Sequence, residues 1–222
     1  MDVYFIFFAK SQFRYLEFPI EKIGLEMKNI VSLGEGTKNM ARCPSFRDFY
    51  KNTFVYRSPI DFSIDRDKNT DDITVNFPSQ NGEPETQLVN LMEGVVEIMP
   101  LDGFFVLSNK NLEMDILPPT LSNFIPNVSA TFNVGKWTRS IHPAIIPEKG
   151  KLTVSRGDAL FYIRFRTHEK IKHKTVHIDD QFDEMLKPVT MVRRFVKNKP
   201  LQFFYDIFEK HQLRTKIIKS LN

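Results

Sequence analysis

The segment Gly157-Asp158-Ala159-Leu160-Phe161-Tyr162-Ile163-Arg164-Phe165-Arg166 carries the clearest fold signal in this chain. A Gly-Asp turn pair is followed by a strand that is apolar on both faces and then becomes basic. A strand without polar alternation is typical of a buried position in a sheet. Similar apolar runs, separated by Pro and Gly, recur along most of the 222 residues and predict a mostly β protein.

The strand-and-turn pattern is densest over residues 93–166 and predicts a mainly β (α+β) fold. Turn signals that recur about every 8–12 residues favour an antiparallel β-sandwich or a jelly roll. Residues 151–154 and 159–166 are predicted to form a hairpin, and residues 109–111 are predicted to form a second hairpin turn. Residues 24–42 contain three glycines and are predicted to be irregular.

Two helices are predicted to flank the strands. A short helix is expected over residues 44–50, because Pro44 is well tolerated in a first helical turn. An amphipathic helix is expected to close the chain over residues 199–219, where apolar residues recur at helical spacing and basic residues fill the C-terminal half. With no repeat and no low-complexity segment, residues 1–222 are predicted to form a single β-rich domain.

Composition limits the class of protein. Apolar residues make up 41% of the chain and include 21 Phe, which is ample material for a core. Cys43 is the only cysteine, so an intrachain disulfide and a cysteine-based zinc site are excluded. Cys43 itself is predicted to be buried beside Pro44. No segment approaches the ~20 apolar residues of a membrane span, so we expect a soluble cytoplasmic protein without membrane contact.

Charge is distributed unevenly along the sequence. Residues 151–222 contain 16 Lys and Arg against 8 Asp and Glu, whereas residues 1–150 contain 15 against 19. This asymmetry is compatible with a solvated basic face, with pairing of acidic and basic faces between subunits, or with an anionic partner. Cations that alternate with aromatic residues are typical of single-strand nucleic-acid binding. The candidate nucleic-acid-binding residues are Arg164, Arg166, Lys172, Lys174, Arg193 and Arg194.

The tripeptide His177-Ile178-Asp179 resembles the His-x-Asp motif of 2-oxoglutarate-dependent oxygenases. That resemblance implies an Fe(II) centre held by His177, Asp179 and a second histidine, His211, with 2-oxoglutarate as co-substrate. The chain departs from the family because His211 lies on a predicted helix only 34 residues after His177, whereas the family places this ligand on a late strand. The competing interpretation is that His177 belongs to a solvated basic loop or edge strand.

Two segments resemble a group of uncharacterised proteins from tailed phages and some bacteria. The first is CPSFRDFYKNTFVYRSPID at residues 43–61, and the second is GDALF at residues 157–161. The order and spacing of these segments extend the resemblance over roughly residues 40–166. It favours a phage or marine microbial source, and a phage source would imply a location in the host cytoplasm or the virion. The group has no activity from which functional residues can be transferred.

No catalytic signature is found in the sequence: it contains neither a Gly-x-Ser-x-Gly motif nor a glycine-rich phosphate loop. We therefore predict a non-enzymatic binding or assembly protein that has a protein partner or associates with itself. The first alternative is the Fe(II)/2-oxoglutarate-dependent oxygenase on a jelly roll. The second alternative is nucleic-acid binding through a basic C-terminal face.

Overall fold

A computed structural model shows a mainly β protein with few helices, which confirms the predicted fold class. The structure describes residues 1–8, 20–32, 34–77, 89–92, 94–98, 104–121, 125–136, 141, 144–178, 203, 206 and 212–221. Within these residues the helices are α1 (Gly24–Ser32), α2 (Glu35–Arg42), α3 (Pro44–Tyr50) and α4 (Leu213–Ser220). The short helix expected over residues 44–50 is confirmed as α3.

The described strands form four sheets. The strands are β1 (Asp2–Phe8), β2 (Ile20–Lys22), β3 (Thr53–Arg57), β4 (Phe62–Arg66), β5 (Ile73–Asn76), β6 (Val89–Met92), β7 (Val95–Ile98), β8 (Phe104–Ser108), β9 (Glu113–Leu117), β10 (Ala130–Asn133), β11 (Ala144–Ile145), β12 (Gly150–Val154), β13 (Ala159–Phe165) and β14 (Lys172–Ile178). Sheet A has the order β14-β1-β8 and sheet B the order β10-β9-β13-β3-β2. Sheet C has the order β12-β4-β5 and sheet D the order β11-β7-β6.

Strand pairing is antiparallel in all described pairs except one. The exception is β1 with β14, which run parallel with Asp2 opposite Lys172. Strand β1 lies between β14 and β8 and is the central strand of sheet A. Its alternating residues Tyr4 and Phe5 are both almost fully buried, so both faces of this strand are covered.

One hydrophobic core contains side chains from all four sheets. Phe5 from sheet A, Ile163 from sheet B, Ile64 from sheet C and Val96 from sheet D all belong to it, and none is measurably exposed. Burial of each such side chain stabilises the fold by about 1.5–3 kcal/mol relative to exposure. A core shared by four sheets is expected of one domain.

Helices α1 and α3 pack against the outer face of sheet B, opposite the main core. A smaller hydrophobic cluster joins Val55 and Tyr162 of the sheet to Tyr50 of α3, and Met27 of α1 packs against it. Tyr50 and Tyr162 meet edge to face with their ring centroids 6.3 Å apart. Sheet B is thus covered by the core on one side and by helices on part of the other.

Sheets B and C are connected by a bent two-stranded ribbon. Its first chain runs from β3 into β4 and its second from β12 into β13, so that β3 pairs with β13 and β4 with β12. At the corner, the Ser58 N–H donates to the Asp158 carbonyl and the Gly157 N–H donates to the Ser58 carbonyl, both at 2.8 Å. Gly157 has φ +93°, a conformation that favours glycine.

The predicted hairpin between residues 151–154 and 159–166 is therefore wrong. The turn at Gly157 exists, but β12 enters sheet C and β13 enters sheet B. The second predicted hairpin, across residues 109–111, is also wrong, because β8 belongs to sheet A and β9 to sheet B. In both places the turn residues indicated a change of direction without indicating the partner of each strand.

Residues 24–42 are helical where the sequence predicted an irregular segment. Gly24 begins α1, Gly34 precedes α2 with φ +142°, and Gly36 lies in the first turn of α2. Glycines at the ends of helices carry a smaller cost than glycines in the middle. The chain therefore tolerates three of them and still forms two helices.

The C-terminal helix is interrupted. It was predicted over residues 199–219, and the structure contains α4 from Leu213 to Ser220, with Phe203 and Asp206 also helical. Gln212, which lies between Asp206 and α4, has a left-handed conformation with φ +51°, which a continuous helix does not allow. Ile217 is the buried residue that holds α4 against the protein.

Candidate functional site

A row of polar side chains crosses the outer face of sheet B. Thr131 of β10 lies opposite Asp115 of β9, and Asp115 lies opposite Arg164 of β13. Asp115 lies between the apolar residues Met114 and Ile116 of β9, and its side chain is only 3% exposed. Residues directly opposite each other in a sheet interact strongly, so this register brings an acid and a base together.

Asp115 is fully engaged by its neighbours. Its Oδ2 atom accepts hydrogen bonds from Nε and Nη2 of Arg164, at 3.0 and 2.5 Å, and from Nε of Arg166 at 2.9 Å. Its Oδ1 atom accepts from the Thr131 hydroxyl at 2.8 Å and lies 2.9 Å from Nη2 of Arg166. Burial raises the pKa of Asp115, but hydrogen bonds from Arg166, Arg164 and Thr131 outweigh it and hold the pKa below its usual range.

Phe49 covers Arg164 at the boundary with helix α3. The guanidinium carbon of Arg164 lies 4.1 Å from the centroid of the Phe49 ring, a cation–π contact. Phe49 is nevertheless 42% exposed, whereas Tyr50 beside it in α3 is buried. The sequence shows several aromatic residues in α3. It does not show which of their rings is buried and which is exposed.

Arg164 and Arg166 were predicted to bind nucleic acid, and the structure places both on acids of the same sheet. Arg164 is bound to Asp115, and Arg166 is bound to Asp115 and lies 3.5 Å from Glu113. Their positive charge is therefore largely balanced within sheet B. Arg166 is the more exposed of the two, with 48% of its side chain exposed against 21% for Arg164.

Lys172 and Lys174 lie on a different surface, the outer strand of sheet A. Among the described residues β14 pairs only with β1, so β14 is an edge strand there. Lys172 and Lys174 are both exposed and share one face of the strand. The Lys174 ammonium lies 5.4 Å from the centroid of the Tyr4 ring, and Thr175 on the opposite face is also exposed.

His173 lies between these lysines and points toward the core. Its ring meets Phe54 with centroids 5.0 Å apart and Phe5 at 6.4 Å. Burial, and then the positive charge of Lys22, lower the pKa of His173 below its usual value.

The predicted Fe(II) ligands are only partly within the described structure. His177 lies in β14 opposite Phe7 of β1. Asp179 and His211 lie outside the described residues, as do Arg193 and Arg194 from the predicted nucleic-acid-binding set. Where the structure is described, no three His, Cys, Asp or Glu side chains converge so that they could hold a metal ion.

A second ion-pair cluster connects α1 to the ribbon corner. Arg57 donates to Glu21 and to Glu26, each at 2.6 Å, and also to the Gly157 carbonyl at 3.0 Å. Glu26 is buried, and its Oε2 atom has no hydrogen-bond partner within the described chain. Burial opposes the charge of Arg57, but Glu21 and Glu26 outweigh it and raise the pKa of Arg57. This cluster fixes α1 on β3.

Cys43 is exposed, so the prediction that it is buried is wrong. It precedes Pro44 at the start of α3, close in sequence to the backbone N–H groups of Phe46 and Ser45. These backbone groups lower the pKa of the Cys43 thiol. The position before a helical proline is on the surface here because α3 buries only Tyr50.

Comparison of the chain with family models, with curated proteins and with solved structures found no match. The resemblance of residues 43–61 and 157–161 to phage proteins therefore stays a prediction. In the described part of the chain, the helices are all too short or too polar to cross a membrane.

Proposed function

We propose that this protein is a non-enzymatic binding or assembly protein that makes protein contacts through the outer edge of β14. The observation that carries this proposal is the exposure of Lys174 and Thr175. These successive residues point to opposite faces of the strand, so both faces meet solvent at this point, and among the described residues the strand pairs only with β1. An exposed sheet edge offers backbone donors and acceptors to another chain.

The state of the charged cluster in sheet B supports a binding role. Asp115 has both carboxylate oxygens engaged by Arg164, Arg166 and Thr131, which leaves little capacity to act as a base or a metal ligand. Such a closed network stabilises the sheet around it. The resemblance to phage proteins adds the proposal that the protein acts in an infected cell or in a virion.

Native mass spectrometry of the full chain tests this function. The protein is purified without added metal or chelator and measured over a range of concentrations, then measured again after addition of Fe(II) and 2-oxoglutarate. We expect metal-free oligomers whose fraction rises with concentration. A monomer that binds one Fe(II) and retains 2-oxoglutarate would contradict the proposal and support the oxygenase with His177, Asp179 and His211.

Nucleic-acid binding is the second candidate, and it is favoured by the shared face of Lys172 and Lys174. Binding of a labelled single-stranded oligonucleotide would be measured by fluorescence anisotropy as salt is raised from about 50 to 200 mM. A phosphate interface predicts that the logarithm of affinity falls by about 0.7 per phosphate contact for each tenfold rise in salt. Salt-independent binding, or none, would reject this candidate.

A further inference from the structure

We propose that two copies of this protein associate through the outer edge of β12, so that sheet C of one copy continues into sheet C of the other. The inference rests on the proposed assembly function and names a second copy as the partner at this edge, which is separate from β14. Twofold association is the commonest arrangement of protein oligomers, and it requires a surface that is complementary to itself.

Strand β12 lies at one side of sheet C and directs its odd-numbered residues outward. The Asp67 N–H donates to the Asp72 carbonyl at 2.9 Å, so the backbone of Asp67 faces β5. Because backbone groups alternate between the two sides of a strand, the even-numbered residues of β4 face β12 and pair there with its even-numbered residues. Lys151 and Thr153 therefore direct their N–H and carbonyl groups away from β4, to a side where no strand of the described chain pairs with them.

The open part of this edge is short, because both of its ends are closed. Ser155 is the next residue of the same alternation, but its N–H donates to Asp158 Oδ2 at 2.8 Å and its carbonyl accepts from the Asp158 N–H at 3.0 Å. At the other end Gly150 has φ +108°, which departs from the extended conformation of a strand. The backbone groups of Lys151 and Thr153 are the part of β12 that a second chain can pair with.

Two copies of this edge fit each other in one antiparallel register. A twofold axis through Leu152 places Lys151 of one copy opposite Thr153 of the other, and each of these two pairs exchanges two backbone hydrogen bonds. A shift of the axis to Lys151 would place two lysines directly opposite each other, which destabilises a strand pair. A shift to Thr153 would require the N–H of Ser155, which is already bound to Asp158.

The side chains of β12 also match across this axis. Leu152 is partly buried against the hydrophobic core, and it would meet Leu152 of the second copy as a closely spaced pair. Lys151 and Thr153 are exposed on the other face, where the two lysines would lie diagonally about 7–8 Å apart. Asp65 of β4 lies directly opposite Lys151 and is also exposed, so it balances the charge of that lysine. The contact would therefore cover apolar surface without opposing like charges directly.

The first test removes one donor from the outer edge of the full chain. Thr153→Pro deletes an N–H that faces away from β4, and edge strands tolerate proline where the N–H faces outward. Sedimentation velocity at increasing protein concentrations measures the dissociation constant of the dimer. We expect this constant to rise at least about tenfold, because two of the four hydrogen bonds are lost and each is worth roughly a factor of five. The control Thr153→Ala keeps the N–H and should dimerise like the unmodified protein, and circular dichroism checks that both variants are folded.

The second test reports the register directly. In a Cys43→Ser background, which removes the exposed native thiol, Leu152→Cys places two thiols across the axis. Their Cα atoms would be about 4.5 Å apart, within the range that a disulfide spans. Thr153→Cys is the control, because that more exposed position faces Lys151 of the second copy. Diamide takes up the two electrons and two protons released by disulfide formation, and it should cross-link the Leu152→Cys protein at least about fivefold faster than the Thr153→Cys protein.

Three results would overturn the inference. The first is a protein that stays monomeric at every concentration, which would leave β14 as the proposed contact with a different protein. The second is equal dimerisation of Thr153→Pro and Thr153→Ala, which would reject the contact at β12 and leave the assembly function through β14 standing. The third is faster cross-linking of the Thr153→Cys protein than of the Leu152→Cys protein. A monomer that binds Fe(II) and retains 2-oxoglutarate would contradict the proposed function as well.

Discussion

Asp115 is a buried carboxylate, and two arginines stabilise its charged form in the folded protein. Removal of a carboxylate from water costs several kcal/mol, and here Arg164 and Arg166 repay it through hydrogen bonds in good geometry. Loss of one partner from such a network leaves an uncompensated charge. The fold is therefore expected to be more sensitive to a change at Asp115 than to a change at its exposed neighbour Glu113.

Asp115→Asn removes the negative charge and keeps the shape of the side chain. We expect the free energy of unfolding to fall by about 2–4 kcal/mol, because the Arg164 guanidinium loses its buried counter-charge. Urea denaturation followed by circular dichroism measures the change. The control is Glu113→Gln, whose side chain is 57% exposed and should have little effect. Equal effects of the two substitutions would contradict the assignment.

The lowered pKa of His173 predicts that the folded protein loses stability in mild acid. Its pKa is lowered in the folded protein by burial and by Lys22, so the unfolded chain binds a proton more readily. Stability is therefore full above the unfolded pKa of about 6.5 and falls as pH decreases through it, by at most about 1.4 kcal/mol per pH unit. Thermal unfolding at several pH values between 7.5 and 5 measures this loss.

The matched comparison is His173→Phe against His168→Asn. His168 is exposed, whereas His173 packs on Phe5 and Phe54. We expect His173→Phe to flatten the dependence of the melting temperature on pH and His168→Asn to leave it unchanged. The opposite pattern would show that another group causes the loss.

Residue types could be predicted from the sequence more readily than their partners. The basic character of Arg164 and Arg166 is visible in the sequence, and so is the acid Asp115 between the apolar residues Met114 and Ile116. Their contact depends on the register between β9 and β13, which pairs residues 49 apart. Nothing local encodes this register, so the ion pairs of Asp115 with these arginines could not be predicted from the sequence.

At the scale of elements, strands and the proline-initiated helix were predicted well, whereas their connections were not. The strand expected over residues 159–166 is present as β13, and α3 begins at Pro44 as expected. The turn near Gly157 was also recognised, but its strands pair with β3 and β4 about a hundred residues earlier. Turn residues specify a local reversal, and long-range packing decides whether a hairpin results.

Gly135 connects α4 to sheet B, and a substitution there tests this connection. Arg214 of α4 donates to the Gly135 carbonyl at 3.0 Å. A Cβ atom at Gly135 would overlap the Asn111 amide and lie 2.5 Å from Nη1 of Arg214. We therefore expect Gly135→Ala to lower the free energy of unfolding by about 1 kcal/mol and to increase hydrogen exchange in α4.

Gly36→Ala is the control for this substitution. Gly36 lies in α2, and a Cβ atom there would contact nothing within 4 Å. Alanine is the better helix former, so the control should be neutral or stabilising by up to about 1 kcal/mol. Unchanged exchange in α4 of the Gly135→Ala variant would mean that Arg214 does not hold the helix.

At the scale of the whole molecule, the shared core predicts cooperative unfolding. Side chains from sheets A, B, C and D pack in one cluster, so no sheet can lose its packing alone. We expect a single urea transition, with superimposable curves from far-ultraviolet and near-ultraviolet circular dichroism. Two separated transitions would contradict the single domain predicted for residues 1–222.

The central position of β1 has a consequence for synthesis on the ribosome. This apolar strand is synthesised before both of its neighbours, because β8 and β14 begin at residues 104 and 172. At about 5–20 residues per second, its second neighbour emerges roughly ten to thirty seconds later. During that interval the nascent chain exposes a strand that needs protection from aggregation, so expression yield should depend on chaperones that act before translation ends.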